Sequence, residues 1–290
     1  MIALAALIVE AAVGYPRRWW HPVMGVGALI EGIEQAWNRR RRREGVALVL
    51  VLFALAVSLG QAIQWLGTVA TVLVATTGLA QRSLHDHVAA AARPLLAGEL
   101  GAARSAVAMI VGRDTDTLDE AGVATAAIES LAESFCDGVV APALALALFG
   151  LPGLFVVKAI NTADSMIGHR TPELSAFGWA AARADDVVNF VPARIAGVLI
   201  ALAGRGGWRE MRRDAAAHAS PNGGWPEAAM AGALGRRLGG TVSYDGEVAQ
   251  RAVLGDGPAP DARDLERALT IYRTACLLLW ILVGIIPWLG

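Results

Sequence analysis

Residues 46–80 read VALVLVLFALAVSLGQAIQWLGTVATVLVATTGLA, a run without a single charge, and Arg39–Arg43 stand shortly before it. The run is too long for one upright membrane helix and fits a tight hairpin of two. Five arginines at its entrance place that end in the cytoplasm by the positive-inside rule, so a hairpin returns the chain there near Arg82. The rest of the chain points the same way: 55% of it is hydrophobic, 18% charged, and its mean hydropathy is +0.48. A soluble domain carries about 25% charged residues. The expected fold is all-α, a polytopic integral membrane protein with short or re-entrant helices and polar cytoplasmic segments.

Working outward, residues 1–14 form a short apolar helix ending at GYPRRWWHP, where Trp19 and Trp20 suit an interfacial belt and Arg17 and Arg18 suit headgroups. Glu10 inside that helix and the missing basic n-region speak against a cleaved signal peptide. Residues 82–137 are polar and Ala-rich, a helical segment. Residues 138–204 carry broken apolar helices. The first, GVVAPALALALFGLPGLFVVKAIN (138–161), is split by Gly150, Pro152 and Gly153 into halves too short to cross alone, so it is either one broken span or a re-entrant hairpin. The second, 187–204, has Pro192 and Arg194 in its first turns. Residues 205–274 read as polar and loop-rich, with arginines at 205, 209, 212 and 213 favouring the cytoplasm, and 275–290 as a C-terminal anchor. If 187–204 crosses fully, the polar stretches on either side of it share a face only if 138–161 crosses too; at least one of the two apolar runs is expected to enter and leave on the same face. The whole is read as a single membrane domain, 1–290.

Net charge is −1, which excludes a global field for nucleic acid, and Cys136 and Cys276 form no CxxC or zinc pattern. Four clusters carry chemistry. Glu129, Glu133 and Asp137 fall at i, i+4 and i+8, stacking carboxylates on one helix face just before membrane-grade sequence, with Arg113 and Asp114 upstream. Asn161, Asp164 and Ser165 follow the split apolar run beside Lys158 and Arg170. Asp185, Asp186 and Asn189 share a face at the mouth of the next one, flanked by Arg183 and Arg194. Oxygen ligands without Cys or His suit a hard cation, Mg²⁺ above all, shared with substrate phosphates that arginines also grip. The bland alternative is an Asp–Arg network holding helices together. Finally, His218, Ser220 and the turn at Pro221–Gly224 open a helix with Glu227 near its start, where backbone N–H groups can face an anion.

In order, these stretches resemble the adenosylcobinamide-phosphate synthase family, membrane proteins of cobalamin biosynthesis. The likeness rests on G-R-D-T (112–115), A-x-x-E-x-x-A-E (126–133) with D-G (137–138), N-T-x-D-S-M-x-G (161–168) and A-R-x-D-D-x-x-N-x-x-P-A-R (182–194). It continues through H-x-S-P-N (218–222), E-A-x-M-A-G-A-L-G (227–235) and L-G-G (238–240), covering nearly the whole chain. The chain departs from the family pattern at Tyr15, Ser134, His169 and Phe190, where the family commonly has Asp, Asn, Tyr and Tyr.

The resemblance implies a ligase that uses ATP to join a propionate carboxylate of adenosylcobyric acid to aminopropanol phosphate, or to aminopropanol. By position it implies Asp164, Asp185, Asp186 and Asn189 as Mg²⁺–nucleotide ligands, with Arg113, Arg183 and Arg194 neutralising phosphate. Glu129, Glu133 and Asp137 become a second ligand or proton-transfer set beside Asp164 and Asp186. Asp114, Asn161, His218, Ser220, Asn222 and Glu227 contact substrate. It further implies a multi-pass protein of the cell inner membrane, its site facing the cytoplasm, associating with other corrinoid-pathway membrane enzymes or with a second copy. Two other functions fit the acids: a Mg²⁺-dependent membrane prenyl or phosphoalcohol transferase, and a non-catalytic relative serving as sensor or assembly partner.

Overall fold

The structure, a computed structural model, describes residues 1–15, 20–168 and 171–288; the interfacial candidates Arg17, Arg18 and Trp19, and also His169 and Arg170, lie outside the described residues. The early helices are α1 (Ile2–Val13), α2 (Pro22–Trp37), α3 (Arg42–Gln64), α4 (Thr68–Thr76), α5 (Gln81–Leu96) and α6 (Leu100–Val107). Next come α7 (Glu120–Phe135), a π-helical turn (Cys136–Val140), α8 (Ala141–Ile167), α9 (Trp179–Val188) and α10 (Phe190–Gly204). The remainder is α11 (Trp208–Asp214), α12 (Gly224–Leu234), strands β1 (Leu238–Tyr244) and β2 (Glu247–Leu254), and α13 (Ala262–Ile285).

Among the described residues three helices are long and apolar enough to cross a membrane: Arg42–Gln64, the continuous Glu120–Ile167, and Ala262–Ile285; α9 with α10 makes a fourth if the bent pair counts as one span. The run expected as a hairpin of two spans yields α3 at 23 residues and α4 at only nine. At 1.5 Å per residue α4 rises about 14 Å, roughly half the hydrocarbon thickness. The expected anchor at 275–290 is the second half of α13, which begins with an amphipathic stretch at Ala262.

The chain is mostly helical but not all-α. Inside the segment read as loop-rich, β1 and β2 pair antiparallel, Thr241 opposite Gln250 and Tyr244 opposite Glu247. Their turn is Asp245-Gly246, both with positive φ (50° and 81°), the conformation a two-residue hairpin demands. The signal stood in the sequence as Asp-Gly between Val- and Tyr-bearing runs.

The contacts divide the chain into two compact units: Met1–Ala80 with Ala141–Asn189 and Leu282–Gly290, and Gln81–Val140 with Phe190–Ile281. The first unit is built on α3 packed against α8. Ile30, Leu48, Leu52, Ala159, Ala163, Ile167, Phe177 and Ala181 form one buried cluster. Small residues bring the backbones together, Gly60 lying against Pro152 and Gly45 against the Phe177 carbonyl. The split predicted in 138–161 is a kink at Gly150 (φ 68°, ψ −159°) within α8. There Leu151 N–H loses its helical acceptor and donates instead to Gln64 Oε1 at 3.1 Å. That is what broken backbone in an apolar setting requires.

In the second unit α7 is the spine. Val123, Ala124, Ala126, Ala127, Ile128, Leu131, Ala132 and Phe135 on it are buried. Asp119 caps its start through Gly122 N–H at 2.7 Å. Tyr272 on α13 stacks edge-on against Phe135 and donates its hydroxyl to the Gln81 carbonyl at 2.7 Å.

Candidate functional site

Each unit gathers its own set of polar side chains. In the first, α8 brings Asn161 and Asp164 to its last turns, and α9 carries Asp185 and Asp186 and ends at Asn189. The carboxylates of Asp164 and Asp186 act on Asp185 electrostatically, with the amides of Asn161 and Asn189 beside it. The i, i+3 and i, i+4 spacing thus produces one acidic, oxygen-only group. Arg183 Nη2 pairs with Asp186 Oδ2 at 2.7 Å, a bond between half-exposed partners on one helix face. Asp185 has no such cation. Its Oδ1 and both polar atoms of Asn189 are buried without a hydrogen-bond partner among the described residues. Asn189 is 1% exposed. An orphaned buried amide beside an orphaned carboxylate oxygen costs a few kcal/mol, on the order of 1–3 for each group, unless something binds there.

The donor chemistry fits Mg²⁺, a hard cation that takes oxygen ligands. Among the described residues no three His, Cys, Asp or Glu side chains converge as a protein-only metal cage. The set therefore suits a cation completed by its ligand's oxygens. Packing around it is close, because a Cβ on Gly168 would lie 2.0 Å from Asp164 Oδ1.

The second unit holds a buried network of acids and arginines. Glu129, 1% exposed, accepts from Arg113 Nη2, from Arg251 Nη1 at 3.0 Å and from Gly239 N–H at 2.6 Å. Arg251 Nη2 reaches His218 Nε2 at 2.8 Å and Glu227 Oε1 at 3.3 Å. Glu227 is 1% exposed. Burial, reinforced by Glu133 and Glu129, holds its pKa well above the ordinary 4.5. Burial, with help from Arg251, pulls His218 below 6.5, against the opposing effect of Glu133. Arg251 Nη2 faces His218 Nε2, while the Ser220 N–H donates to Nδ1 at 3.1 Å and the Ser220 carbonyl lies 3.3 Å from the same nitrogen. Arg113 and Arg251 share Glu129, and Arg251 also reaches His218 and Glu227, so the four groups around it form one connected buried network.

Several expectations change here. Glu129, Glu133 and Asp137 are not an open triad: Glu129 is buried and twice ion-paired, Glu133 is half-buried, and Asp137 lies in the π-helical turn that ends the α-helical register of α7. Arg113 faces Glu129 rather than an open anion site. Asp114, expected at phosphate, is spent on the hairpin: its carboxylate accepts from Ser243 Oγ at 2.6 Å, Gly246 N–H at 2.9 Å and Asp245 N–H at 3.1 Å. Those bonds, Ser243 first, hold its pKa below the ordinary carboxylate range. The turn before α12 does not offer its amides to an anion either, because Asn222 and Gly223 N–H both donate to Ser220 Oγ at 3.2 Å. Arg194 Nη1 donates to Asn222 Oδ1 at 3.1 Å. The residue sequence reasoning missed is Arg251. It sits on a strand read as loop, and no local pattern in Glu247–Leu254 marks it as facing inward.

Comparison with known proteins adds an independent line. A family model described as CobD/Cbib protein matches residues 3–272. A Rhodobacter capsulatus protein named cobalamin biosynthesis protein CobD is 48% identical, the alignment covering 98% of this chain and 96% of its own. Proteins of the same name from Rhizobium meliloti and Sinorhizobium fredii are 43% and 44% identical, each alignment covering 95% of this chain and 93% of the relative. No solved structure matches the chain significantly. The full-length match and the identities are enough to place it: the chain belongs to the CobD/Cbib protein family.

Proposed function

We propose that this protein works in cobalamin biosynthesis as an ATP-dependent amide ligase of the inner membrane, joining adenosylcobyric acid to aminopropanol phosphate or aminopropanol. The full-length relation to proteins named for cobalamin biosynthesis supports the pathway. The observation that supports the chemistry is the buried oxygen-rich group itself, with Asp164, Asp186 and the amides of Asn161 and Asn189 gathered around Asp185.

In this reading the propionate oxygen attacks the terminal phosphorus of ATP, giving an acyl phosphate and ADP. The amine then attacks the acyl carbon, inorganic phosphate leaves, and the amine's extra proton passes to a base. Asp164, Asp185 and Asn189 would hold Mg²⁺, with Arg183 keeping Asp186 turned to the same face. Mg²⁺ bound there would supply positive charge to the triphosphate. Three apolar helices suit a multi-pass membrane setting, where a large corrinoid meets the protein at the bilayer edge.

The test is direct. Purified protein in detergent is given adenosylcobyric acid, each amine in turn and Mg-ATP, and the amide product and ADP are followed together. Equal amounts of both support the reading. Folded protein that yields neither overturns it.

A further inference from the structure

The mouth of α3, in the first unit, carries more cations than its acids neutralise. Residues 39–43 are five consecutive arginines, all exposed. Arg40 pairs with Glu173 at 3.5 Å and Arg43 with Glu44 at 3.1 Å. Among the described residues no carboxylate pairs with Arg39, Arg41 or Arg42. Nor is the run a loose basic tail. Asn38 accepts from the Arg40 N–H at 2.9 Å and donates to Glu34 at 2.7 Å and to the Glu173 carbonyl at 3.3 Å, which ties the segment to the chain before α9. The Arg42 guanidinium lies over the ring of Trp179, the first residue of α9, 4.9 Å from its centroid.

What adjoins these charges decides their partner. Arg42, Val46, Leu50 and Phe53 stand at i, i+4, i+8 and i+11 on α3 and so share one helix face. The three apolar members are exposed, and α3 is long and apolar enough to cross a bilayer. One face therefore presents a guanidinium at the head of a bare apolar stripe. A soluble nucleotide or an acidic protein segment would meet the arginines and leave the stripe uncovered, and an apolar helix would do the reverse. A molecule with an anionic phosphate head and an acyl chain covers both.

We propose that Arg39, Arg41 and Arg42 form a site for the headgroup of an anionic phospholipid, whose acyl chain follows Val46, Leu50 and Phe53 along α3. A zwitterionic headgroup brings its own cation into a cluster that already has cations in excess, so the site discriminates against it. Each arginine beside an anionic lipid surface is worth about fivefold in affinity. The bound lipid also steadies α9, because Arg42 meets both the headgroup and Trp179. Nothing in this site depends on the reaction that the protein performs.

Lipid titrations followed by native mass spectrometry test the site on the full chain in detergent, with phosphatidylglycerol and phosphatidylcholine of matched acyl chains. At about 0.15 M salt the intact protein is expected to hold phosphatidylglycerol at least about tenfold more tightly, and to unfold at a higher temperature with it. Arg39→Gln combined with Arg41→Gln leaves the Arg42–Trp179 contact in place and should bring the preference within about threefold. Arg40→Gln combined with Arg43→Gln removes the same formal charge from arginines that already have acids, and should keep about tenfold. Thermal unfolding in detergent alone confirms that both variants are folded. Equal losses in the two, no preference in the intact chain, or a preference that disappears at that salt would mean a diffuse field and overturn the site. Displacement of phosphatidylglycerol by ATP or inorganic phosphate would assign the arginines to a soluble phosphate and overturn the lipid. Short-chain phosphatidylglycerol should bind at least about tenfold more weakly than the long-chain form; equal binding would overturn the part given to Val46, Leu50 and Phe53.

Discussion

Glu227 and Asp185 are both acids without simple surroundings, yet they make different demands. Glu227 is enclosed, and its pKa is raised, so between 4.5 and that raised value the folded chain binds more protons than the unfolded one. Stability contributed by this residue is therefore whole below 4.5 and lost as pH climbs. Glu227→Gln keeps the shape and removes the titration. Its unfolding midpoint should match that of the parent near pH 4 and exceed it increasingly toward pH 8; a constant difference would mean that Glu227 is ionised in the fold. Asp185 lacks a cation where its neighbour Asp186 has Arg183. Asp185→Asn should lower turnover by about 100-fold and raise the Mg²⁺ needed for half-maximal rate, about 2.7 kcal/mol of barrier. Asp186→Asn should cost at least about tenfold less. Equal losses would deny the distinction. Spacing alone reveals that these acids share a face. It does not reveal which of them is matched, because an arginine one turn away and an arginine on another element look alike in a sequence. Arg251 shows the same limit from the other direction: it joins Glu129 across 122 positions, and nothing local announces it.

Elements were legible where periodicity and turn chemistry are strong. The apolar runs and the break near Gly150 could both be read from the letters. The hairpin was missed because its strands are short and mostly polar, burying little, and its one firm signal was Asp-Gly. Glycines at helix contacts were equally silent, since a glycine that admits a neighbouring backbone looks like one in a loop. Gly45 and Gly178 are of this kind: a Cβ would lie 1.8 Å from the Phe177 carbonyl oxygen in one case and 1.6 Å from the Ile167 carbonyl oxygen in the other. Neither neighbour is a flexible side chain that can swing aside. Alanine at either position should destabilise the first unit by about 1–3 kcal/mol, seen as a lower unfolding midpoint in detergent. Gln64→Leu tests the kink in the same assay. It strands the Leu151 N–H in an apolar setting at a similar cost, on the order of 1–3 kcal/mol, whereas Gln64→Glu keeps an acceptor and should lose less. A null result for Gln64→Leu would mean that water reaches the break.

For the whole molecule, the topology that hydropathy left open narrows once a contact is used as a constraint. Asp114 is bonded to Ser243, Asp245 and Gly246, so the loop before α7 and the β1–β2 hairpin occupy one compartment. The chain between them must then cross the bilayer an even number of times. The continuous α7–α8 and the bent α9–α10 pair either both cross or both return to the side they left; one of each is forbidden. The arginines at 205, 209, 212 and 213 draw that compartment to the cytoplasm. Both native cysteines are buried, so single added ones at exposed sites report cleanly. Asp116→Cys and Ala216→Cys lie on the two polar stretches in question. In intact cells a membrane-impermeant maleimide should leave both unmodified, and in inverted vesicles it should modify both. Modification of one but not the other would separate Asp114 from its hairpin and dismantle the buried network to which Arg251 belongs. Modification of both from outside would preserve the network and overturn the cytoplasmic placement of that compartment.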